Sequence, residues 1–130
     1  EQVVEVHGSI RAAECLRCHW RQDTEGVLAQ LEEHPAPLCE HCGEVLKPGV
    51  TLFGELLPAG AIERATELAR GAALMLVVGS SLEVWPVAGL PLESRSVAIV
   101  NQGRTALDDQ ALLKIDAPAG ETLSAVLAAL

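Results

Sequence analysis

The sequence predicts an α/β protein: part of an open parallel sheet, with an inserted small module organised by four cysteines. The segments 74–78 and 97–100 are continuously apolar, which is typical of strands covered on both faces of a parallel sheet. Helices or crossovers separate such strands in an open α/β sheet. The cysteines form two C-x2-C pairs ahead of these segments. With 130 residues, 49% of them apolar, the chain can bury the core that this fold needs.

The other elements are predicted from local patterns. Short β-branched or apolar runs predict strands at residues 3–6, ending at His7-Gly8-Ser9, at residues 50–53, and at residues 112–115 as a weaker edge strand. Apolar residues at helical spacing predict helices at residues 59–70, stopping at Gly71, and at about 121–130. A short helix between the cysteine pairs begins at Asp23 or Thr24, with an apolar face of Val27, Leu28 and Leu31.

The four cysteines have the spacing of a zinc module. They are Cys15, Cys18, Cys39 and Cys42. Two such knuckles complete a tetrahedron of thiolates around Zn(II), and Gly43 suits a turn with positive φ. Because four thiolates leave no open coordination position, we expect a structural zinc rather than a catalytic one. The alternative, two disulfides, requires an oxidising compartment. The nearby histidines, His19, His34 and His41, are possible alternative ligands, but we expect them at the surface.

Composition and charge exclude several classes of partner. The chain has 9 Lys+Arg against 18 Asp+Glu, a net charge of −9, which would repel a phosphate backbone. Two tryptophans, one phenylalanine and no tyrosine do not supply a stacking platform for bases. No apolar run approaches the roughly 18 residues of a membrane span. We therefore expect no direct nucleic-acid binding, no membrane association and, with no signal peptide and reduced cysteines, a cytoplasmic location.

Small polar residues follow the two buried strands. Gly79, Ser80 and Ser81 follow the first of them, and Asn101 follows the second. Ligands of open α/β sheets bind just beyond the carboxyl ends of the strands. An ordinary strand-to-loop turn is the alternative interpretation of Gly-Ser-Ser alone. The joint pattern favours a ligand site at this end of the sheet.

Five motifs follow one another along the chain. They are V-E-V-H-G-S at residues 4–9, the four cysteines, P-G-V-T-L-F-G-E at 48–55, G-S-S-L-E-V-W-P-V-A at 79–88, and Val100-Asn101 followed by Thr105 and Asp108. In this order they resemble the C-terminal half of the catalytic domain of a sirtuin, the family of NAD-dependent protein-lysine deacylases. Thr51 departs from the second valine of the family pattern P-x-V-V-x-F-G-E. This is a small change within an extended segment.

The resemblance also implies how the chain is divided. Residues 1–10 correspond to the strand and catalytic-histidine segment of the Rossmann-like domain, 11–47 to the zinc-binding module, and 48–130 to the second half of the Rossmann-like NAD-binding domain. The family's upstream motifs, a G-A-G-x-S loop, an acidic-Phe-Arg element and T-Q-N-x-D, do not occur in these residues. We therefore expect an incomplete fragment, beginning at Glu1, that does not turn over NAD by itself.

The reaction implied by the resemblance is deacetylation or deacylation of lysine in proteins or peptides, with release of nicotinamide and O-acyl-ADP-ribose. His7 is the implied catalytic base, because an imidazole titrates near neutral pH. The implied cofactors are NAD and Zn(II), and the residues expected to bind NAD are Gly79, Ser80, Ser81, Asn101, Gln102, Gly103 and Ala119. The substrate peptide is expected to pair by strand addition with Val50, Thr51, Leu52, Phe53 and Gly54. Phe53 is also expected to line the acyl-lysine tunnel.

Two other functions remain open at this point. A sirtuin fold can act mainly as an ADP-ribosyltransferase, and the residues that select the acyl chain would mostly lie upstream. A zinc ribbon can also be a non-catalytic interaction module. The net acidity weakens the nucleic-acid version of this second function, and two buried parallel strands are more than a ribbon needs.

Overall fold

The computed structural model describes residues 3–32 and 34–130. The chain divides into two compact units, Glu1–Ala61 and Ile62–Leu130. Each unit has its own three-stranded sheet and its own cluster of buried residues. The α/β class and the parallel sheet predicted from the sequence are confirmed.

The first unit contains an antiparallel sheet with the order β2-β1-β3. Its strands are β1 (Gly8–Cys15), β2 (Arg21–Asp23) and β3 (Leu46–Val50), and helix α1 (Thr24–Gln30) follows β2. In the pairing of β1 with β3, Gly8 lies opposite Val50 and Cys15 lies opposite Leu46, with an irregularity between Gly8 and Ala13. The sheet therefore joins the residue after His7 to the start of the candidate peptide-binding segment.

Two strand predictions in this unit are wrong in position. Residues 3–6 form no strand, and β1 begins instead at Gly8. β3 ends at Val50, where the second extended segment was expected to begin. The reason is that strand formation depends on a partner. The described residues offer no strand to pair with residues 3–6, whereas the glycine at position 8 allows β1 to approach the backbone of β3 closely.

The predicted start of α1 is confirmed, and its predicted apolar face is partly wrong. The Asp23 side chain accepts a hydrogen bond from the Glu25 amide (2.8 Å), which caps the helix. Val27 is buried, but Leu28 and Leu31 are 56% and 44% exposed. The helix is only two turns long, so one residue is enough to reach the small core.

The second unit is a parallel sheet with the order β4-β5-β6. Its strands are β4 (Met75–Val78), β5 (Val97–Val100) and β6 (Leu113–Ile115), with α2 (Ala59–Gly71) before them, a 3-10 helix (Val87–Glu93) between β4 and β5, and α3 (Ala119–Ala129) at the end. The predicted strands of this unit, its helices and the short edge strand are confirmed within one or two residues.

Burial differs sharply between the central and edge strands. Every residue of β5 is buried, and Ile99 is completely inaccessible. In β4 only Val77 is buried, while Leu76 and Val78 are 50% and 40% exposed. The prediction that this strand is covered on both faces is therefore wrong for the described residues, in which β4 lies at the edge of its sheet.

No helix within the described residues has the length and apolar character to cross a membrane.

Candidate functional site

The two C-x2-C knuckles have the same backbone hydrogen bonds. In the first, the Cys15 carbonyl accepts from the His19 amide and the Cys15 amide donates to the Trp20 carbonyl, both at 2.9 Å. The second knuckle repeats these bonds around Cys39, at 2.8 and 2.7 Å. The residue after each cysteine pair has positive φ: 75° at Gly43, as predicted, and 58° at His19. This shared turn directs the sulfurs of each pair inward.

The four sulfurs lie at the spacing of a tetrahedral metal site. All Sγ atoms lie within 4.8 Å of one another, with 3.5 Å between Cys15 and Cys42 and 3.6 Å between Cys18 and Cys39. Four sulfurs bound at about 2.3 Å to one Zn(II) would be about 3.8 Å apart. All four cysteines are free thiols, and one of each pair is buried. The cluster therefore fits a four-thiolate zinc site, as the spacing predicts, and does not fit the disulfide alternative.

The electrostatics of the cluster favour a bound cation. The Cys18 amide donates to the sulfur of Cys15 and lowers the pKa of that thiol to about 7, although burial acts in the opposite direction. The Trp20 amide acts in the same way on Cys18, but burial and the neighbouring thiols prevail and raise its pKa to about 12. The pKa of Cys15 is thus lowered, whereas those of Cys18 and Cys42 are raised. A dication would stabilise all four thiolates together.

The histidines near the cluster lie outside the ligand group. The metal-ligating group within the described residues consists of the four cysteines. The His19 side chain is 79% exposed, with Nδ1 3.5 Å from a carboxylate oxygen of Glu14. The His41 ring packs at a tilt against Trp20, with 5.4 Å between ring centroids. Exposure of His34 likewise agrees with the expectation of surface histidines.

The candidate base is joined to the candidate peptide-binding segment by the backbone. The carbonyl of His7, whose side chain is exposed, accepts a hydrogen bond from the Thr51 amide at 2.8 Å. Gly8 has φ +72°, and a side chain there would overlap the Gly49 carbonyl oxygen. The fold thus requires glycine at position 8, which the sequence analysis quoted only as part of a motif. Only the long-range pairing with β3 reveals its role.

A lysine and a glutamate brace the turn that follows β3. An Oε2 atom of Glu55 accepts from the Leu52 amide and from Lys47 Nζ, both at 2.9 Å, and Lys47 Nζ also donates to the Val50 carbonyl at 2.8 Å. The Leu52 amide and the Lys47 ammonium hold the pKa of Glu55 below its usual value. Phe53 projects from the turn with 97% of its surface exposed. Its role in an acyl-lysine tunnel stays a prediction.

An open groove of about 570 Å³ runs beside this turn, within the first unit. Its lining includes Lys47, Val50 and Glu55, together with Glu14 from β1 and Arg21 from β2. β3 is the end strand of the order β2-β1-β3, so one of its edges has no neighbouring strand among the described residues. Such an edge can accept an extended peptide by main-chain hydrogen bonds.

The candidate cofactor residues come together in the second unit. β4 and β5 are parallel neighbours, so their carboxyl ends meet at one edge of the sheet. The Gly79 amide donates to the Val100 carbonyl, and the Ser81 carbonyl accepts from the Ala106 amide, both at 3.0 Å. Gly79 has φ +65°, which glycine adopts without strain. The two loops predicted from separate motifs are thus hydrogen-bonded to each other.

The loop after β5 continues this edge of the sheet. The Asn101 amide donates to the Ile115 carbonyl at 3.1 Å, and its side-chain Nδ2 donates to the Gln102 carbonyl at 2.9 Å. Gln102 and Gly103 are exposed. Ala119 is the first residue of α3, which follows β6. These positions suit residues that contact a ligand across the strand ends, and their roles remain predictions.

The same loop is closed by a threonine and an aspartate. Thr105 Oγ1 donates to Asp108 Oδ1 at 2.6 Å, and the Thr105 amide donates to Oδ2 at 3.1 Å. These bonds, with the Lys114 ammonium, hold the pKa of Asp108 below its usual value. The motif Thr105-x-x-Asp108 therefore acts on the shape of the loop.

Comparison with known proteins agrees with this architecture. The model of the Sir2 family matches residues 1–86. The NAD-dependent protein deacetylase of Thermotoga maritima is 41% identical over 118 residues, which are 88% of this chain and 48% of the relative. The NAD-dependent protein deacylase of Ralstonia nicotianae is 41% identical over 130 residues, which are 97% of this chain and 51% of the relative.

Solved structures of the same kind superpose closely. A structure of Sir2Tm bound to a propionylated peptide has a TM-score of 0.93 and 38% identity, covering 98% of this chain and 56% of that one. A Sir2 complex with a p53 peptide and NAD+ has a TM-score of 0.92 over 98% of this chain and 55% of that one. The chain spans about half the length of the curated relatives it matches. With two thirds of its residues matched by the family model and its fold shared with these structures, the chain belongs to the Sir2 family, the sirtuins.

Proposed function

We propose that these residues form the C-terminal half of the catalytic domain of an NAD-dependent protein-lysine deacylase, which releases nicotinamide and O-acyl-ADP-ribose. The observation that carries the proposal is the hydrogen bond between the His7 carbonyl and the Thr51 amide. It joins the candidate base to the candidate peptide-binding segment in a member of the Sir2 family. The names of the relatives and the acylated peptide bound to Sir2Tm support the same activity.

His7 is proposed as the general base. Its exposed imidazole offers a ring nitrogen that can accept a proton from a reactant. Its backbone is held on one side by Thr51 and on the other by Gly8, which no larger residue can replace without overlap. The ring can therefore face a reactant while its main chain stays fixed.

Residues 50–54 are proposed to bind the acyl-lysine peptide. Val50 is the last residue of β3, an end strand of its sheet. The Thr51 and Leu52 amides already donate to the His7 carbonyl and to Glu55, so an added strand would pair with the remaining main-chain groups of this segment. Main-chain pairing makes few demands on the peptide's side chains, so we expect weak sequence selectivity. The Lys47–Glu55 pair keeps the turn at the end of this segment in shape.

NAD, when bound, supplies a ribose carbon activated by its nicotinamide leaving group. Residues 79–81 and 101–103, together with Ala119, are proposed to hold its adenosine side. Gly79 allows a close approach of the ligand, the serine hydroxyls can donate to ribose or phosphate oxygens, and the Asn101 amide can donate and accept. The cysteines are proposed to hold one structural Zn(II) that maintains the module without taking part in the reaction.

The proposed organisation assigns residues 1–10 to the histidine segment, 11–47 to the zinc module and 48–130 to the second half of the NAD-binding domain. We also propose that this part of the protein does not bind nucleic acid directly, because its net charge of −9 would repel a phosphate backbone. A cytoplasmic location is proposed because the four cysteines are free thiols, as in a reducing compartment.

The test uses the full-length protein that carries this sequence, with the variant His7→Ala and the matched control His34→Ala, which alters an exposed histidine. Loss of a general base should lower the deacylation rate by about 10² to 10⁴, whereas the control should retain it. The zinc content and circular dichroism of both should equal those of the wild type. Near-wild-type turnover by folded His7→Ala would refute the role of His7.

The same protein incubated with labelled NAD and acylated peptides separates the reactions open to this fold. Label in O-acyl-ADP-ribose would support deacylation. Label transferred to protein, with no deacylated peptide, would replace the proposal by ADP-ribosyl transfer.

A further inference from the structure

Both polar groups of Gly103 are held by side chains from one strand end. Lys114 Nζ donates to the Gly103 carbonyl at 2.7 Å, and Asp116 Oδ1 accepts from the Gly103 amide at 2.9 Å. Lys114 lies in β6, and Asp116 follows that strand directly. Residues two apart along an extended chain present their side chains on the same side. A lysine and an aspartate in this register therefore grip the donor and the acceptor of one glycine.

Lys114 also contacts the turn at residues 105–108, at the end of the loop. Lys114 Nζ also lies 3.4 Å from Asp108 Oδ1, and the two side chains are only 18% and 22% exposed. Asp108 in turn accepts from both the side chain and the amide of Thr105. A single ammonium group thus ties residue 103 to the turn at residues 105–108.

The other side-chain bonds of residues 102–103 come from within the loop, where Asn101 Nδ2 donates to the Gln102 carbonyl at 2.9 Å and, at the longer distance of 3.5 Å, to the Gly103 carbonyl. Residues 102–104 are all exposed, and Gly103 has φ +77°, a conformation that needs glycine and so leaves the position without a side chain. Exposed loops of this kind are mobile unless hydrogen bonds fix them. Lys114 and Asp116 supply such bonds from the adjacent strand.

We propose that Lys114 and Asp116 are positioning residues for the NAD site, which hold the loop at residues 101–105 in its binding conformation. The inference rests on the proposed function, since this loop carries the proposed adenosine-side contacts Asn101, Gln102 and Gly103. A loop fixed before binding loses less conformational freedom when the ligand arrives, so affinity rises. The pair acts on NAD through Gly103 and acts on neither the peptide nor the zinc.

The first test is the dissociation constant of NAD for the full-length protein, measured by titration calorimetry. Lys114→Met removes the donor, so the loop must be ordered when NAD binds, and this cost should raise the constant about tenfold. Asp116→Ala should do the same. Lys114→Arg and Asp116→Asn keep a donor and an acceptor, respectively, and should restore most of the affinity. The matched control is Arg95→Met, at an exposed arginine that precedes β5 at the opposite end of the strand.

Steady-state kinetics should show an effect on NAD but not on the peptide. For Lys114→Met the KM for NAD should rise about tenfold, while kcat at saturating NAD and the KM for the acylated peptide stay within twofold of wild type. A wild-type dissociation constant in the folded Lys114→Met and Asp116→Ala variants would overturn the inference. So would a failure of the two conservative variants to restore affinity.

Amide hydrogen exchange tests the inference apart from the proposed function. Whether or not the wild-type protein binds NAD, Lys114→Met should accelerate exchange at residues 103–107 about tenfold and leave β5 unchanged. Absence of NAD binding by the wild type would refute the proposed function, and with it the NAD-site role of Lys114 and Asp116, but would leave their effect on the loop conformation standing. Unaltered exchange at residues 103–107 would refute the proposal that Lys114 fixes the conformation of this loop.

Discussion

The buried core of the first unit is formed by Ala13, Cys15, Val27, Cys39 and Leu46. Two of its five members are candidate metal ligands, and one is an alanine. The second unit buries a cluster of apolar side chains centred on Ile99, with Val77, Leu82, Ala88, Val97 and Leu107. A unit as small as the first buries too little apolar surface to be stable alone, and proteins of this size often rely on a metal. The second unit is instead stabilised by the packing of these apolar side chains.

The comparison predicts that metal removal affects the first unit alone. Cys39→Ser, or a strong chelator, should reduce zinc from one ion per chain to none. Structural zinc sites in small domains supply binding free energies of about 10 to 16 kcal/mol, and this is folding free energy. Amide protection across β1, β2 and α1 should therefore be lost, while that of β5 persists. Elemental analysis and hydrogen exchange on one sample measure both effects.

His41→Ala is the matched control, because this histidine packs near the cluster but is not in the ligand group. It should retain one zinc per chain. Full protection of β1 in protein verified to be free of metal would contradict the structural role of the zinc.

The converse experiment removes packing from the second unit. Ile99→Ala deletes the largest completely buried side chain and should lower the free energy of unfolding by about 2 to 5 kcal/mol, through lost apolar burial and the cavity left behind. Zinc content should stay at one ion per chain. Urea denaturation, with metal content measured in parallel, gives both values.

Leu112→Ala serves as the control in the same sheet region, since Leu112 is 77% exposed and its truncation should change stability by about 0.5 kcal/mol or less. Two results would contradict the view that zinc stabilises the first unit and packing the second. One is release of zinc by Ile99→Ala, and the other is a free energy of unfolding for Ile99→Ala no lower than that of Leu112→Ala.

The parts of the fold that the sequence predicts are those encoded over short distances. The spacing of Cys15, Cys18, Cys39 and Cys42 fixes the metal-binding group, because four thiolates can satisfy one ion in only a few geometries. The apolar run of β5 and the helical pattern of α2 are equally local. Asp23 as the cap of α1 follows from side-chain chemistry alone.

The wrong predictions and the missed residues depend on distant partners. β1 begins at Gly8 because of its approach to Gly49, which lies far along the chain. The exposure of β4 depends on which strands neighbour it. Lys114 and Asp116 carry no motif, and their role appears only when β6 lies beside the loop that holds Gly103. No periodic pattern in the sequence encodes such pairings.

The smallest predicted effect compares the two knuckles inside the first unit. They share their hydrogen bonds, but the left-handed position is a glycine in one, Gly43, and a histidine in the other, His19. In this conformation a residue with a side chain destabilises the folded state by about 1 to 2 kcal/mol. Glycine avoids that cost, but its greater freedom in the unfolded chain lowers the free energy of unfolding by about 0.4 to 1 kcal/mol. The contact of His19 with Glu14 is largely exposed and offsets little of this difference.

His19→Gly should therefore stabilise the zinc-bound protein by about 0.5 kcal/mol, and Gly43→Ala should destabilise it by about 1 kcal/mol. Thermal unfolding at saturating zinc measures both, and a loss of stability in His19→Gly would mean that the histidine side chain contributes more to its knuckle than the shared backbone geometry requires.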